Sequence, residues 1–335
     1  VLQLPLPYAV STAQHFAGGA MASLAALGAV DSLIFGSECG ELAALRSVAA
    51  ALDSPELPAA LAPHLQKGLP FAAARQAAVE AVCPGTGLAA LLDKPNNNLA
   101  VEYCKAIIEQ NVEMQPIALP RQGADHGQAL TESGHAAFAS ASALRALWAE
   151  GGAAALAPYV PEKALKLYKQ AEYDGKYTDF AVMGHCELAL LRAACAEQAP
   201  FAAVRGVSEG LEHRLENAVR ETASLPALLD ALTTVRYPRA RMRRLAMDAA
   251  LGYTAQTPAL PPYLHLLGAR KEALSLPGET ALPLSHSLAR LARENETCAQ
   301  MAAAQSMASD LGALCRAKPE PMGGIYRQKI IFLTN

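Results

Sequence analysis

Three residues in the N-terminal half of the chain have the types and settings that ligand chemistry uses: Gly36, Asn96 and Arg121. A glycine lets a ligand approach its backbone with no Cβ in the way. An asparagine amide both donates and accepts, which suits a nucleobase edge or a ribose. An arginine just past a strand end can meet the charge of a nucleotide. Each has a plain alternative. Gly36 could simply end a strand, Asn96 could be a turn residue or N-cap in a run of asparagines, and Arg121 could be a surface cation. A second group, Ser140, Ser142 and Arg145, has the makings of a phosphate grip. A helix N-terminus offers N–H groups and a positive dipole end, serine hydroxyls add donors, and arginine adds a charged fork. Its alternative is an ordinary serine N-cap with a solvated arginine. The third group is Arg236–Arg244, five arginines without an acid. On a helix Arg236, Arg239 and Arg243 would share one face, with Arg241 and Arg244 beside it. Such a patch suits RNA phosphates, and Tyr237 could stack on a base. A solvated face paired with Glu209, Glu212 or Glu216 is the alternative.

The elements that must hold these residues follow from patterning. Residues 1–36 read as a β-α-β unit. Val1–Leu4 alternates like a strand, Ser11-Thr12-Ala13-Gln14 has capping-box spacing, a small-residue helix runs to Gly28, and Ser32–Phe35 is an apolar strand. Pro95-Asn96-Asn97-Asn98 caps a helix from Leu99 to about Gln110, and Met114–Leu119 is the next strand. In open α/β sheets ligands bind outside the carboxyl ends of strands, where Gly36 and Arg121 fall. Asp53–Leu69, with Pro55, Pro58 and Pro63, reads as an irregular excursion. Beyond about residue 137 strand signals nearly vanish. Helical stretches recur at Tyr177–Ala194, Leu211–Ala223, Leu225–Thr233, Arg236–Leu251, Pro262–Leu267 and Cys298–Leu314. Arg327–Leu333 could add a short strand. Gly151-Gly152 marks the boundary of a two-domain division, 1–150 and 151–335.

Seven segments, in order, resemble one bacterial family. They are Val-Leu-Gln-Leu-Pro (1–5), Phe-Ala-Gly-Gly-Ala (16–20), Phe-Gly-Ser-Glu (35–38), Lys-Pro-Asn-Asn (94–97), Phe-Ala-Ser-Ala-Ser-Ala-Leu-Arg (138–145), Glu-Gly-Leu-Glu-His-Arg-Leu (209–215) and Arg-Tyr-Pro-Arg-Ala-Arg-Met-Arg-Arg (236–244). The family is the tRNA(Met) cytidine acetate ligases, of the His-x-Gly-His nucleotidyltransferase superfamily. The likeness covers most of the chain and is weakest over 40–90 and 150–205.

The resemblance implies an α/β fold, a nucleotidyltransferase-like Rossmann-type parallel sheet followed by a mostly α-helical domain. It implies that ATP activates acetate as acetyl-adenylate, and that the acetyl group passes to the wobble cytidine of elongator tRNA(Met), giving N4-acetylcytidine. Residues 1–150 would bind ATP through Gly36, Asn96, Arg121 and Gln122, with Ser140, Ser142 and Arg145 supporting the phosphates. Gln122 stands where the family has a basic residue. Residues 151–335 would hold tRNA through Arg236, Tyr237, Arg239, Arg241, Arg243 and Arg244. Mg²⁺ is expected with ATP. The family's His-x-Gly-His turn occurs nowhere in this sequence, so no catalytic residue is named. The chain is expected to be incomplete at its N-terminus by at least one β-α-β unit of roughly 30 residues, and inactive without it. After Arg121 the family's Ala-Gly-Tyr-His is here Ala124-Asp125-His126, one residue shorter, which leaves His126 without a role. Two other classes share parts of this pattern: a non-catalytic nucleotide- or RNA-binding protein, and a small-molecule nucleotidyltransferase.

Composition narrows the setting. Charged residues make up 18% and hydrophobic ones 52%, much of it alanine, which favours a helical globular protein. A net charge of −3 gives no global attraction for nucleic acid, so RNA contact needs a local patch. Seven cysteines lack Cys-x-x-Cys spacing and read as reduced thiols of a cytoplasmic protein. His135 and the remaining histidines have no ligand partner at helical or turn spacing, and no Ser-His-Asp or Cys-His arrangement emerges. The uncharged stretch Phe16–Val30 is too short for a membrane span.

Overall fold

A computed structural model describes residues 1–121, 139–208, 210–276 and 278–333. The chain starts with a two-residue strand β1 (Leu2–Gln3), one helical turn α1 (Leu6–Ala9), helix α2 (Ala13–Leu27) and strand β2 (Ser32–Ser37). Thr12 rather than Ser11 caps α2, its hydroxyl accepting from the His15 N–H, so the N-cap falls one residue later than expected and the residue at the third helical position is His15 rather than Gln14. Gly28 ends the helix at φ 68°, the left-handed stop that glycine adopts without strain. Three helices follow: α3 (Leu42–Leu52), α4 (Leu57–Gln66) and α5 (Phe71–Val82). The expected excursion over 53–69 is thus mostly helix α4. Pro58 sits in its first turn, where a missing N–H costs nothing. Helix α6 (Pro95–Glu109) begins at Pro95, so Asn96, Asn97 and Asn98 form its first turn rather than its cap. It leads into strand β3 (Gln115–Pro120).

β2 and β3 are parallel neighbours, Phe35 opposite Ala118 and Gly36 opposite Leu119. A parallel pair needs a crossover, and α3 to α6 supply it. α2 and α3 both pack on α6. Leu45, Val48 and Ala49 of α3 share a core with Val101 and Cys104 of α6, Met21 of α2 meets Ala106 of α6, and Phe35 stacks on Tyr103 at 5.7 Å between ring centroids. Alanines let these helices approach closely while the few large side chains interlock.

The described residues from 139 to 250 are mainly helical: α7 (Ala141–Gly151), α8 (Glu162–Asp174), α9 (Phe180–Ala194), α10 (Leu211–Glu221), α11 (Leu225–Leu232) and α12 (Arg239–Ala250). Leu188, Leu191, Leu211, Leu215, Leu228, Leu232, Met242 and Leu245 form a second core among α9 to α12. Short strands then return: β4 (Leu264–Leu266), β5 (Gly268–Ala269) and β6 (Leu284–Ser285). After them come α13 (Leu288–Leu291), α14 (Glu296–Leu314), α15 (Gly324–Arg327) and β7 (Ile331–Phe332). β7 fulfils the expected strand near the end of the sequence.

The structure corrects two further expectations. The expected helix over 262–267 contains β4, whose Leu264 and His265 are both buried, as an interior strand requires. β1 does not join β2. It pairs antiparallel with β4, Leu2 opposite Leu266, while β4 pairs in parallel with β6. His265 Nδ1 and Gln3 Oε1 lie 2.7 Å apart across that ladder. Residues 1–36 are therefore not a closed β-α-β unit. A two-residue strand carries too little pattern to name its partner.

Candidate nucleotide site

The site grows from the end of β2. Ser37 is fully buried, and its hydroxyl accepts from the Gly40 N–H at 2.9 Å. Its carbonyl accepts the Arg121 N–H, also at 2.9 Å. The turn over residues 37–40 thereby folds across the end of β3. Asn97, also buried, holds it from below, its Oδ1 accepting the Cys39 N–H at 3.1 Å.

Glu38 points from this turn at the start of α6. Its carboxylate accepts the Asn97 N–H at 2.7 Å, the Asn96 N–H at 3.2 Å and the Asn96 side-chain Nδ2 at 2.6 Å. Burial pushes the Glu38 carboxyl up. The hydrogen bonds from Asn96 and Asn97 outweigh it and hold the group below its ordinary value. Asn96 in turn presents Oδ1 to Arg121, whose Nη1 donates at 3.2 Å. Gly36 is exposed alongside, and a Cβ built on it would lie 3.5 Å from Arg121 Cγ.

The structure thus brings Gly36, Asn96 and Arg121 together on one surface, at the carboxyl ends of two parallel strands. Sequence reasoning misses Glu38 and Ser37 as site residues. Their signal is membership of the Phe-Gly-Ser-Glu segment (35–38), directly after Gly36. The arrangement offers a guanidinium, an amide and a bare backbone edge. That set suits an anion bearing a planar base, as nucleotides do. Among the described residues no group of three His, Cys, Asp or Glu side chains could hold a metal ion.

Ser140 caps α7, its hydroxyl accepting from the Ala143 N–H at 3.2 Å and lying 3.0 Å from the Ser142 hydroxyl. Arg145 is exposed on the same helix. Ser140 therefore performs the capping role while standing at a helix start. Gln122 lies outside the described residues, as do His126 and His135.

The arginine segment is more tied down than its composition implies. α12 starts at Arg239 with Pro238 as N-cap, so Arg236 precedes the helix. Only Arg239 and Arg243 share the helical face that was expected to carry Arg236 too. Arg239 pairs with Asp230 of α11. The acids expected as partners are engaged elsewhere, Glu216 with Arg220 and Glu212 beside His213, and Glu209 is outside the described residues. The Arg241 and Arg236 guanidinium carbons stand 5.0 and 5.8 Å from the Tyr237 ring centroid. Arg244 is half-buried, and burial pulls its pKa down against the pull of Asp248. Arg243 is exposed, and its charge acts on the buried Glu187 of α9. A cleft of about 500 Å³ lies beside this segment, walled by Arg214, Asn217, Glu221 and Tyr237.

Comparison with known proteins identifies the family. The family description HIGH Nucleotidyl Transferase matches residues 1–321. A tRNA(Met) cytidine acetate ligase of Syntrophotalea carbinolica is 33% identical over 304 residues, 87% of this chain and 70% of that protein. One from Caldanaerobacter subterraneus subsp. tengcongensis is 32% identical over 257 residues, 75% of this chain and 62% of its own length. The chain thus aligns with less than two thirds of the latter. Among solved structures, Thermotoga maritima TmcAL in its apo form superposes with a TM-score of 0.89 at 24% identity, over all of this chain and 84% of that one. TmcAL bound with alpha-thio ATP superposes with a TM-score of 0.87 at 23% identity. At that identity the likeness is one of fold.

Proposed function

The chain belongs to the HIGH Nucleotidyl Transferase family, among the tRNA(Met) cytidine acetate ligases, and on that premise we propose that it binds ATP at the edge formed by Gly36, Asn96 and Arg121 and uses it to activate acetate. The observation that carries this reading is the Arg121–Asn96–Glu38 chain of hydrogen bonds beside an open glycine. It stands where parallel α/β sheets present their ligands. TmcAL, the same fold, has been crystallised with an ATP analogue.

In this reading an acetate oxygen attacks the α-phosphorus. The bond from that phosphorus to the bridging oxygen breaks, and pyrophosphate leaves. The exocyclic amine of the wobble cytidine of tRNA(Met) then attacks the acetyl carbonyl. AMP departs with the anhydride oxygen, and the nitrogen loses a proton to give N4-acetylcytidine. The protein's share is positioning and charge stabilisation. Arg121 faces the nucleotide's negative charge, Asn96 holds it in register, and Gly36 leaves room for close approach. Gln122 next in sequence, with Ser140, Ser142 and Arg145, completes the proposed contacts to ATP. Mg²⁺ would accompany ATP and neutralise part of the phosphate charge. Glu38, the carboxylate bonded to Asn96, is committed to three N–H donors and would be a poor ligand for it.

Residues 1–150 form the ATP-binding part and 151–335 the tRNA-binding part in this proposal. Exposed Arg239 and Arg243 lead the RNA contacts, with Arg236, Tyr237, Arg241 and Arg244 around them. No helix among the described residues is long and apolar enough to cross a membrane, and the cytoplasm is where tRNA and ATP meet. The experiment is direct. The full-length protein, given ATP, acetate, Mg²⁺ and tRNA(Met), should form AMP and pyrophosphate and acetylate the tRNA. Nucleotide turnover indifferent to acetate would sink the proposal.

A further inference from the structure

We propose that Glu38 is a positioning residue of the nucleotide site, fixing the Asn96 amide and through it aiming the Arg121 guanidinium. The inference rests on reading this edge as the ATP site and assigns a role to a residue outside the expected contact set.

The argument is one of polarity. An ionised carboxylate only accepts hydrogen bonds, and a guanidinium only donates them. The Asn96 amide lies between the two, 2.6 Å from Glu38 through Nδ2 and 3.2 Å from Arg121 through Oδ1. One amide orientation satisfies both neighbours, and the reverse would oppose like groups on each side. Glu38 therefore decides which face Asn96 shows to Arg121. The arginine is held at its other end by its own N–H on the Ser37 carbonyl at 2.9 Å. Its stem runs past Gly36, 3.5 Å from where a Cβ would stand. A side chain of this length otherwise samples many rotamers, and ordering it before the ligand arrives removes that cost from binding.

The same carboxylate accepts the Asn96 and Asn97 N–H groups at the start of α6. Those donors and the positive end of the helix dipole would otherwise attract a phosphate. Glu38 fills that position with the protein's own charge. The nucleotide's negative charge then falls to Arg121 rather than to the helix start. A residue that merely capped α6 would support stability alone and would act independently of Arg121.

The test is a double-mutant cycle on ATP affinity, read by titration calorimetry of the full-length protein, with thermal unfolding alongside. Arg121→Ala should weaken ATP binding by about tenfold or more, and Glu38→Gln by about tenfold. The double variant should bind more weakly than Arg121→Ala by much less than the cost of Glu38→Gln alone, because Glu38 acts mainly through that arginine and only in part through the Asn96 contact. Glu38→Asp, which keeps the charge but is one methylene short of spanning both partners, should fold and still bind several-fold more weakly. Wild-type affinity in Glu38→Gln or Glu38→Asp, or single effects that multiply in the double variant, would overturn the inference and leave the ATP site standing. A wild-type protein that takes up no ATP would overturn the site itself and the inference with it.

Discussion

Gly40 and Pro120 are packed so tightly that a Cβ on Gly40 would lie 2.8 Å from the proline Cβ. Gly40 also has φ 67°, a conformation other residues adopt only at a cost. The turn that carries Glu38 is therefore pressed onto the end of β3 by a contact only glycine permits. Gly40→Ala should destabilise the protein by about 2–3 kcal/mol, from left-handed backbone strain plus overlap with the proline ring. Denaturant unfolding of the two proteins measures it. A change below about 0.5 kcal/mol would mean the turn does not sit against Pro120 as described.

Gly36 makes the opposite case. A Cβ there meets Arg121 Cγ at 3.5 Å, an ordinary contact, and Gly36 carries no left-handed strain. Gly36→Ala should leave unfolding within about 0.5 kcal/mol of wild type, since glycine weakens strands anyway. ATP affinity should nevertheless fall about tenfold, because the new methyl occupies the ligand's path. Unchanged affinity would return Gly36 to the role of a strand residue.

These two glycines mark what the sequence makes legible. β2 and β3 are apolar runs, the first carrying Gly36 in its next-to-last pairing and the second followed at once by Arg121, so both strands and the ligand edge can be read from patterning. α6 is legible for the same reason, although its first turn is the asparagine run itself. The link between these elements is not legible. Glu38 reaches 58 positions along the chain to Asn96, and no local rule marks a carboxylate that will cap a distant helix. β1 fails similarly, since Leu2 and Gln3 meet Leu266 and His265 by tertiary contact alone. The arginine segment shows a further limit. Its composition proclaims charge, yet Pro238 excludes Arg236 from the helix and Asp230 of another helix engages Arg239.

Arg239 and Arg243 are one turn apart on α12, both exposed. Changing both to alanine should weaken tRNA binding and lower the slope of log affinity against log salt by about one unit for each phosphate no longer neutralised. ATP affinity should stay at the wild-type value. Stability should change little, because an exposed ion pair such as Arg239–Asp230 contributes roughly 0–1 kcal/mol. Filter binding across a salt series decides it. A salt slope equal to wild type would remove this face from the RNA-binding surface.

Glu187 lies 2% exposed in the core of the helical part, and its Oε1 has no hydrogen-bond partner. Burial raises its pKa from 4.5 to about 7, against the opposing pull of the Arg243 charge. The sign of the consequence follows from proton counting. Between pH 4.5 and about 7 the folded protein holds a proton on Glu187 that the unfolded chain has released. This group's stabilising contribution is therefore complete below pH 4.5 and is lost as the pH rises through about 7. Glu187→Gln, neutral at every pH, should be more stable than wild type at pH 8 by about 2–3 kcal/mol, and the difference should shrink toward zero near pH 4. Parallel unfolding curves from pH 4 to pH 8 test it. A wild-type advantage that grows with pH would show that Glu187 is ionised in the fold and paired, with Arg243 as its counter-charge.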